Sequence, residues 1–471
     1  MPVIKSKSKV TKKHLVVEIT DEYVLFLAKK SICLVKPEKI LLKDFANISR
    51  ECICITIQAH FSRKLSQYGL QTISLQTLLA MVMEKKLTES EYAAIFHKKC
   101  RVNYKYLVES KSEQVFAGKK LWANLWDMVY ECFRTIRRHH MENILQKEIA
   151  ATPVLHRIFD RDYHLDRKAY WKWVSDTRAE LLQLQEEGLQ EERIRKLQVQ
   201  LKQYDESKLY CTEGSDIIRC NYNQIGTKTY RICTYGNNLQ GFPKGLKAGL
   251  YSEKQSLVEY DITSCQFKIL AALACEEKVL VYGGDVYQWI SSILFEKDME
   301  DITREERKAG KLFLLMLMNG AGNQTLAKEL KKAGVICNTR DVQRMRSKFL
   351  QEFTKISEYL DALQNADTYS VPSGMTWSGE RLAEGYKRIS CILQHCESEL
   401  LLDLIVACEP YIMDLGGSIY LTIHDSIILE MDEECVTEKL LEQMNTFLQE
   451  SFRKQFPLCS EETIIRMEDK K

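Results

Sequence analysis

The stretch Tyr420–Met431, YLTIHDSIILEM, reads as one buried strand. Tyr, Ile and Leu flank a middle that holds no Gly, Pro or Asn to turn it. Yet His424, Asp425 and Ser426 sit at its centre. Burying an ionised carboxylate is costly unless it is paired or holds a metal. Asp425 therefore calls for a partner.

Asp261 is the natural counterpart. The run SLVEYDITSCQFKILAALA (256–274) ends an apolar strand at Asp261, just before a helix-like segment. Two carboxylates at the ends of neighbouring strands are the usual means of holding two Mg²⁺ ions, which take oxygen ligands. Paired metals stabilise the attacking and leaving oxygens of a phosphoryl displacement. On two aspartates alone, a helix cap and an ion-pair partner are an equally open reading.

Between them lies ITREERKAGKLFLLMLMNGAGNQTLAKEL (302–330). Thr303 followed by Glu306 is a capping box and predicts a helix start. Asn319–Gly320 predicts its end. Arg307 and Lys311 are four residues apart and share one helical face. Two cations leading into an apolar, buried helix suit a polyanion such as a triphosphate.

The bulk numbers set limits. A chain of 471 residues suits two or three domains. Apolar residues make up 45% and charged residues 28%, ordinary for a soluble globular protein. The net charge of +2 confines any nucleic-acid surface to a local patch. No apolar run approaches the ~18 residues of a membrane span, so none is expected. The basic N-terminus MPVIKSKSKVTKKH reads as a solvated tail, with no apolar stretch of signal type after it. The 16 cysteines include no C-x-x-C pair, which argues for reduced thiols in a cytoplasmic protein and against a zinc ribbon. Residues 14–80 alternate short strands (HLVVEI, YVLFLA, CICITI) with a helix, an α/β pattern. Charged, proline-free residues 168–207 read as one helix.

Taken together, the stretches resemble family A DNA polymerases, the group of bacterial DNA polymerase I. Their first palm motif is D-x-S-x-x-E-x-R-x-L-A. DITSCQFKILA (261–271) matches its Asp, Leu and Ala, with Thr263, Gln266 and Lys268 in place of Ser, Glu and Arg. Their fingers helix is R-x-x-x-K-x-x-x-F-x-x-x-Y-G, and here Arg307, Lys311, Leu315, Asn319 and Gly320 stand at that spacing. HDS (424–426) is similar to their last palm motif, H-D-E. GTKTYRICTYGNNLQGFP (226–243) is similar to T-G-R-x-S…N-L-Q-N-x-P, with Arg231 at the arginine. GGDVYQWISSILFEKDMEDIT (283–303) resembles the approach to the fingers helix, with Tyr287 where a histidine is usual. YKRISCILQHCESELLLDLI (386–405) resembles the helix whose glutamine contacts the primer–template, here Gln394.

The resemblance implies a right-hand polymerase of α+β and α/β layers, with palm and fingers over 211–471. It implies a reduced helical thumb or linker over 151–210. Residues 1–150 resemble an RNase H-like α/β exonuclease-type domain without catalytic acids: Arg63, Lys64 and Leu65 stand in one metal-binding motif, Leu75, Gln76 and Thr77 in another, and the first strand offers only Glu18.

It also implies roles. Asp261, Asp425 and the carbonyl of Ile262 would hold two Mg²⁺ ions, with Mn²⁺ as an alternative. Arg307 and Lys311 would clamp the triphosphate, Lys311 also acting as general acid. Gln266, Asn319 and Tyr287 would face the nucleotide, Gln266 as the gate against a ribose 2′-OH. Arg231 and Gln394 would read the minor groove, and His424 would position the primer terminus. The implied function is template-dependent DNA synthesis on primer–template DNA with dNTPs, without proofreading and away from membranes. A processivity or replication partner is left open. Two alternatives compete with it: a single-subunit RNA polymerase or primase on the same palm, and a non-catalytic nucleic-acid-binding protein of polymerase descent.

Overall fold

The computed structural model describes residues 15–19, 24–28, 31–35, 53–57, 65–66, 70–100, 119–188, 191–212, 214–218, 220–379 and 383–470. The chain divides into two compact units. The first holds residues up to 135, 148–259 and 409–437; the second holds 136–147, 260–408 and 438–471.

In the first unit, β1 (Leu15–Ile19), β2 (Val24–Ala28), β3 (Ser31–Val35), β4 (Cys54–Thr56) and β5 (Thr72–Ser74) form one sheet. Its order is β3-β2-β1-β4-β5. β1, β2 and β3 pair antiparallel, whereas β1–β4 and β4–β5 are parallel. The expected strands are thus present, in a mixed sheet. β5 runs directly into α1 (Leu75–Met83), whose N-cap Ser74 accepts the Thr77 N–H at 3.0 Å. Arg63, Lys64 and the basic tail lie outside the described residues.

The single helix expected over 168–207 is two helices, α2 (Arg167–Glu186) and α3 (Glu191–Gln203). Gly188 takes a left-handed φ of 64°, a conformation that ends helices and that glycine adopts freely. Arg193 on α3 pairs with Glu180 on α2 at 2.7 Å.

Tyr420–Met431 is a hairpin rather than one strand. β6 (Ser256–Ile262) begins in the first unit, and the same unit holds β7 (Ser418–Ile423) and β8 (Ser426–Met431). β7 and β8 pair antiparallel with Ile423 opposite Ser426, so His424 and Asp425 form the two-residue turn. Such turns need positive φ and usually signal it with Gly or Asn. Here His424 supplies it, at φ 53°, and histidine tolerates that region better than most residues. Asp425 is therefore a half-buried turn residue and His424 is exposed. The burial falls on Leu421, Ile427 and Leu429, which are fully covered. Arg161 and Ser252 both bond Glu430 on β8, fixing the base of the hairpin.

In the second unit, the end of β6 pairs antiparallel with β9 (Met467–Asp469), placing Asp261 opposite Glu468. Four helices matter here: α4 (Cys265–Ala274), α5 (Val286–Phe295), α6 (Arg304–Met318) and α7 (Gly385–Asp414), the last as far as residue 408. α6 has the expected capping box and ends at Asn319, followed by Gly320 at φ 75°. α5 and α6 pack closely because residue 310 is glycine: a Cβ there would sit 2.0 Å from Ser291 Oγ. A buried polar cluster supports α7. Glu399 accepts from Ser373 at 2.7 Å and lies 2.8 Å from both Lys147 and His395. The described cysteines are free thiols, and no described helix is long and apolar enough to cross a membrane.

Candidate active site

α6 presents its two cations to a single ring. The Arg307 guanidinium lies 5.5 Å from the centroid of Tyr287, and the Lys311 ammonium 4.8 Å. The i, i+4 spacing places them there together. Tyr287 belongs to the first turn of α5, whose N-cap is Asp285. Asp285 Oδ1 accepts the N–H groups of Tyr287 (2.9 Å) and Gln288 (3.1 Å), and its Oδ2 accepts from Arg307 Nε at 2.5 Å. One carboxylate thus caps the platform helix and orients the arginine. Asp285 was not singled out in the sequence, although Gly283–Gly284–Asp285 before an apolar helix is a cap signal. Lys311 is exposed and Arg307 half-buried, while Phe313, Leu314, Leu317 and Met318 further along α6 are buried.

A cavity of about 230 Å³ opens beside this face. Thr263, Asp285, Tyr287, Arg307, Arg466 and Glu468 line it. The C-terminal segment supplies two of these, since the Thr263 N–H donates to the Arg466 carbonyl at 2.8 Å as β9 joins the end of β6. Asp261, next to this edge, is 27% exposed and accepts from Lys470 Nζ at 2.7 Å.

Gln266, in the first turn of α4, donates through Nε2 to Glu397 Oε2 at 2.6 Å. Lys268, where the motif has arginine, turns away from solvent. Its ammonium donates to the carbonyls of Val279 (2.6 Å), Tyr282 (2.8 Å) and Leu280 (3.3 Å). Burial, with Arg466 nearby, lowers its pKa to about 8. Asn319 accepts from Ser390 Oγ at 2.8 Å, and Ser390 accepts from Gln394 Nε2 at 2.9 Å. The second unit therefore gathers Arg307, Lys311 and Tyr287 in one group and joins Asn319 to Gln394 in another.

Arg231, His424 and Asp425 lie in the first unit. Arg231 is half-buried, and its N–H donates to Thr227 Oγ1 at 3.1 Å. From the same segment, Gln240 Nε2 donates to the Thr422 carbonyl at 3.1 Å, which ties that loop to the strand leading into the His424–Asp425 turn.

Each of the two carboxylates, Asp261 in the second unit and Asp425 in the first, has the chemistry of a ligand for a hard divalent cation. Asp261 and Asp425 are carboxylates that stay partly exposed, the oxygen chemistry Mg²⁺ requires. Asp261 already takes a cation, the Lys470 ammonium, on one oxygen. Ser426, in place of the motif's second acid, is 2% exposed and offers at most a hydroxyl.

Within the second unit, a helix thus presents paired cations to one ring, beside a cavity that reaches the strand end after Asp261. Residues 122–377, more than half of the chain, match the model described as DNA polymerase family A, and the chain belongs to that family. It is similar to DNA polymerase I of Aquifex aeolicus, 23% identical over 255 residues, which span 52% of this chain and 44% of the relative. It is similar to a DNA polymerase of Bacillus phage SP01, 19% identical, over 48% of this chain and 28% of that one. DNA polymerase I of Helicobacter pylori is 23% identical over 50% of this chain and 28% of its own length. The chain thus matches less than half the length of these curated relatives. Among solved structures, the POL domain of Pol1 from M. smegmatis, in complex with DNA primer-template and dNTP, has a TM-score of 0.69 at 13% identity. The match covers 97% of this chain and 94% of that one, so the fold is that of a family A polymerase domain. Enzymes of this family generally use divalent metal ions.

Proposed function

We propose that the chain is a template-dependent DNA polymerase that extends a primer with dNTPs and does not proofread. One observation carries the reading: in a family A chain, Arg307 and Lys311 sit over one ring on one face of α6.

Arg307, held by Asp285, and Lys311 neutralise the triphosphate. Lys311, exposed at this face, passes a proton to the departing pyrophosphate. Asp261, Asp425 and the Ile262 carbonyl hold two Mg²⁺ ions, for which Mn²⁺ can substitute. When bound, the metals supply charge stabilisation at the attacking and leaving oxygens. Motif order supports this pairing: DITSCQFKILA and HDS flank the fingers helix as in the family. Arg231 and Gln394 contact minor-groove acceptors common to all correct pairs. His424 positions the primer terminus, Tyr287 and Asn319 face the nucleotide, and Gln266 screens its sugar. Primer–template DNA and dNTPs are the partners, in the cytoplasm.

Residues 1–150 are a decayed exonuclease domain kept as scaffold, 151–210 a reduced thumb, and 211–471 palm and fingers. Leu75 and Thr77 support the first assignment. The triplet Leu75–Gln76–Thr77 stands where the family has its aspartate–threonine pair and offers no carboxylate; Leu75 and Thr77 are buried.

Primer extension on DNA and RNA templates, with dNTPs or rNTPs and with or without primer, tests the reading. Mg²⁺-dependent extension of primed DNA by dNTPs is expected. Extension by rNTPs without a primer identifies an RNA polymerase or primase. Salt-sensitive binding without incorporation identifies a non-catalytic binder.

A further inference from the structure

Gln266 stands where the family motif has glutamate, and here it faces a carboxylate, Glu397. Glu397 is 3% exposed, on α7, and Gln266 Nε2 reaches its Oε2 at 2.6 Å. A second carboxylate at this distance would face the first with like charge in a buried site, and one of the two would be forced to protonate. A neutral amide avoids this and satisfies the buried acid. An ionised carboxylate only accepts hydrogen bonds, so it selects the NH₂ end of Gln266 and turns the amide oxygen away.

Glu397 also belongs to a polar line. Ser390, Gln394 and Glu397 follow i, i+4, i+7 spacing and share one face of α7. Ser390 contacts Asn319 at the end of α6, Gln394 contacts Ser390, and Glu397 contacts Gln266 at the start of α4. The proposed sugar screen and the end of the fingers helix are thus indexed to one helix face.

We infer that Glu397 is a positioning residue that locks Gln266 in one rotamer, and that this locked amide sets the choice between deoxyribose and ribose in the incoming nucleotide. A glutamine released from its partner regains side-chain freedom and moves aside for a 2′-OH. A held one excludes it by bulk. The inference rests on the polymerase reading above.

The test is kcat/KM for one dNTP and its matching rNTP at the same template position, with the full chain carrying E397A, E397Q, Q266E or Q266E/E397Q. In E397A, discrimination against the rNTP should fall about tenfold, through a lower rNTP KM, as expected for loss of one hydrogen bond to a charged group. E397Q, nearly isosteric, should shift the ratio in the same direction by less. The swap Q266E/E397Q restores an amide–carboxylate pair and should return the ratio to within about threefold of wild type, whereas Q266E alone should not. A wholly structural role would lower both nucleotides equally and leave the ratio fixed. An unchanged ratio in E397A and E397Q, with wild-type dNTP extension intact, overturns this inference alone. A wild-type chain that incorporates neither sugar overturns it together with the polymerase reading.

Discussion

The ammonium of Lys470 donates a hydrogen bond to Asp261 Oδ1 at 2.7 Å, joining residues 209 apart in sequence. A carboxylate proposed to bind metal thus also takes a cation of the chain. The two compete. K470A should therefore lower the Mg²⁺ concentration that gives half-maximal primer extension. A partly exposed pair contributes at most about 1 kcal/mol, so the midpoint should move by no more than about fivefold. A Mg²⁺ titration checks it; an unmoved or raised midpoint argues against competition.

Arg307 and Lys311 should respond separately to their shared ring. R307A or K311A should cut kcat/KM for dNTPs by about 10- to 100-fold, the scale of one lost charge-assisted hydrogen bond. Y287F keeps the ring and should change kcat/KM less than about threefold, whereas Y287A removes the cation–π platform and should cost about fivefold. Steady-state kinetics on a primed template measures all four variants.

Lys268 is spent on structure. K268M would leave the carbonyls of Val279, Leu280 and Tyr282 without this donor, costing about 2–3 kcal/mol of stability. Thermal melting of the variant should show a lower Tm even without nucleotide. An unchanged Tm would contradict the assignment.

Glu399 governs an acid limb of stability. Burial works to raise its pKa, but the His395 ring and the Lys147 ammonium, each 2.8 Å from the carboxylate, outweigh burial and hold it at about 2, against 4.5 for a free glutamate. A folded-state pKa below the unfolded one contributes stability that is present above about pH 4.5. That stability is lost as pH falls from there through about 2. Urea unfolding across this range should show stability dropping in the wild type. E399Q should start lower at neutral pH and show a flatter acid limb.

The sequence made local features legible and left paired ones hidden. Thr303, Glu306, Asn319 and Gly320 declared the ends of α6 because caps are written within a few residues. The common face of Arg307 and Lys311 followed from helical spacing alone. The hairpin escaped notice because its positive φ falls on His424, without the glycine that normally marks it. Asp285 could be read as a cap but not as the partner of Arg307, which lies 22 residues away on another helix. Glu468, Arg466 and Lys470 come to the edge of Asp261 through the pairing of β6 with β9, and no local pattern encodes which strand pairs with which. Glu397 stayed hidden because its meaning depends on Gln266.

The most direct test of the central claim is Mg²⁺-dependent primer extension by wild type, D261A and D425A under identical conditions, each variant first shown to keep the wild-type Tm. The account predicts extension by the wild type and a fall of at least about a thousandfold in both variants, since each removes a carboxylate proposed to hold the metals. Extension near the wild-type rate by either folded variant would contradict it.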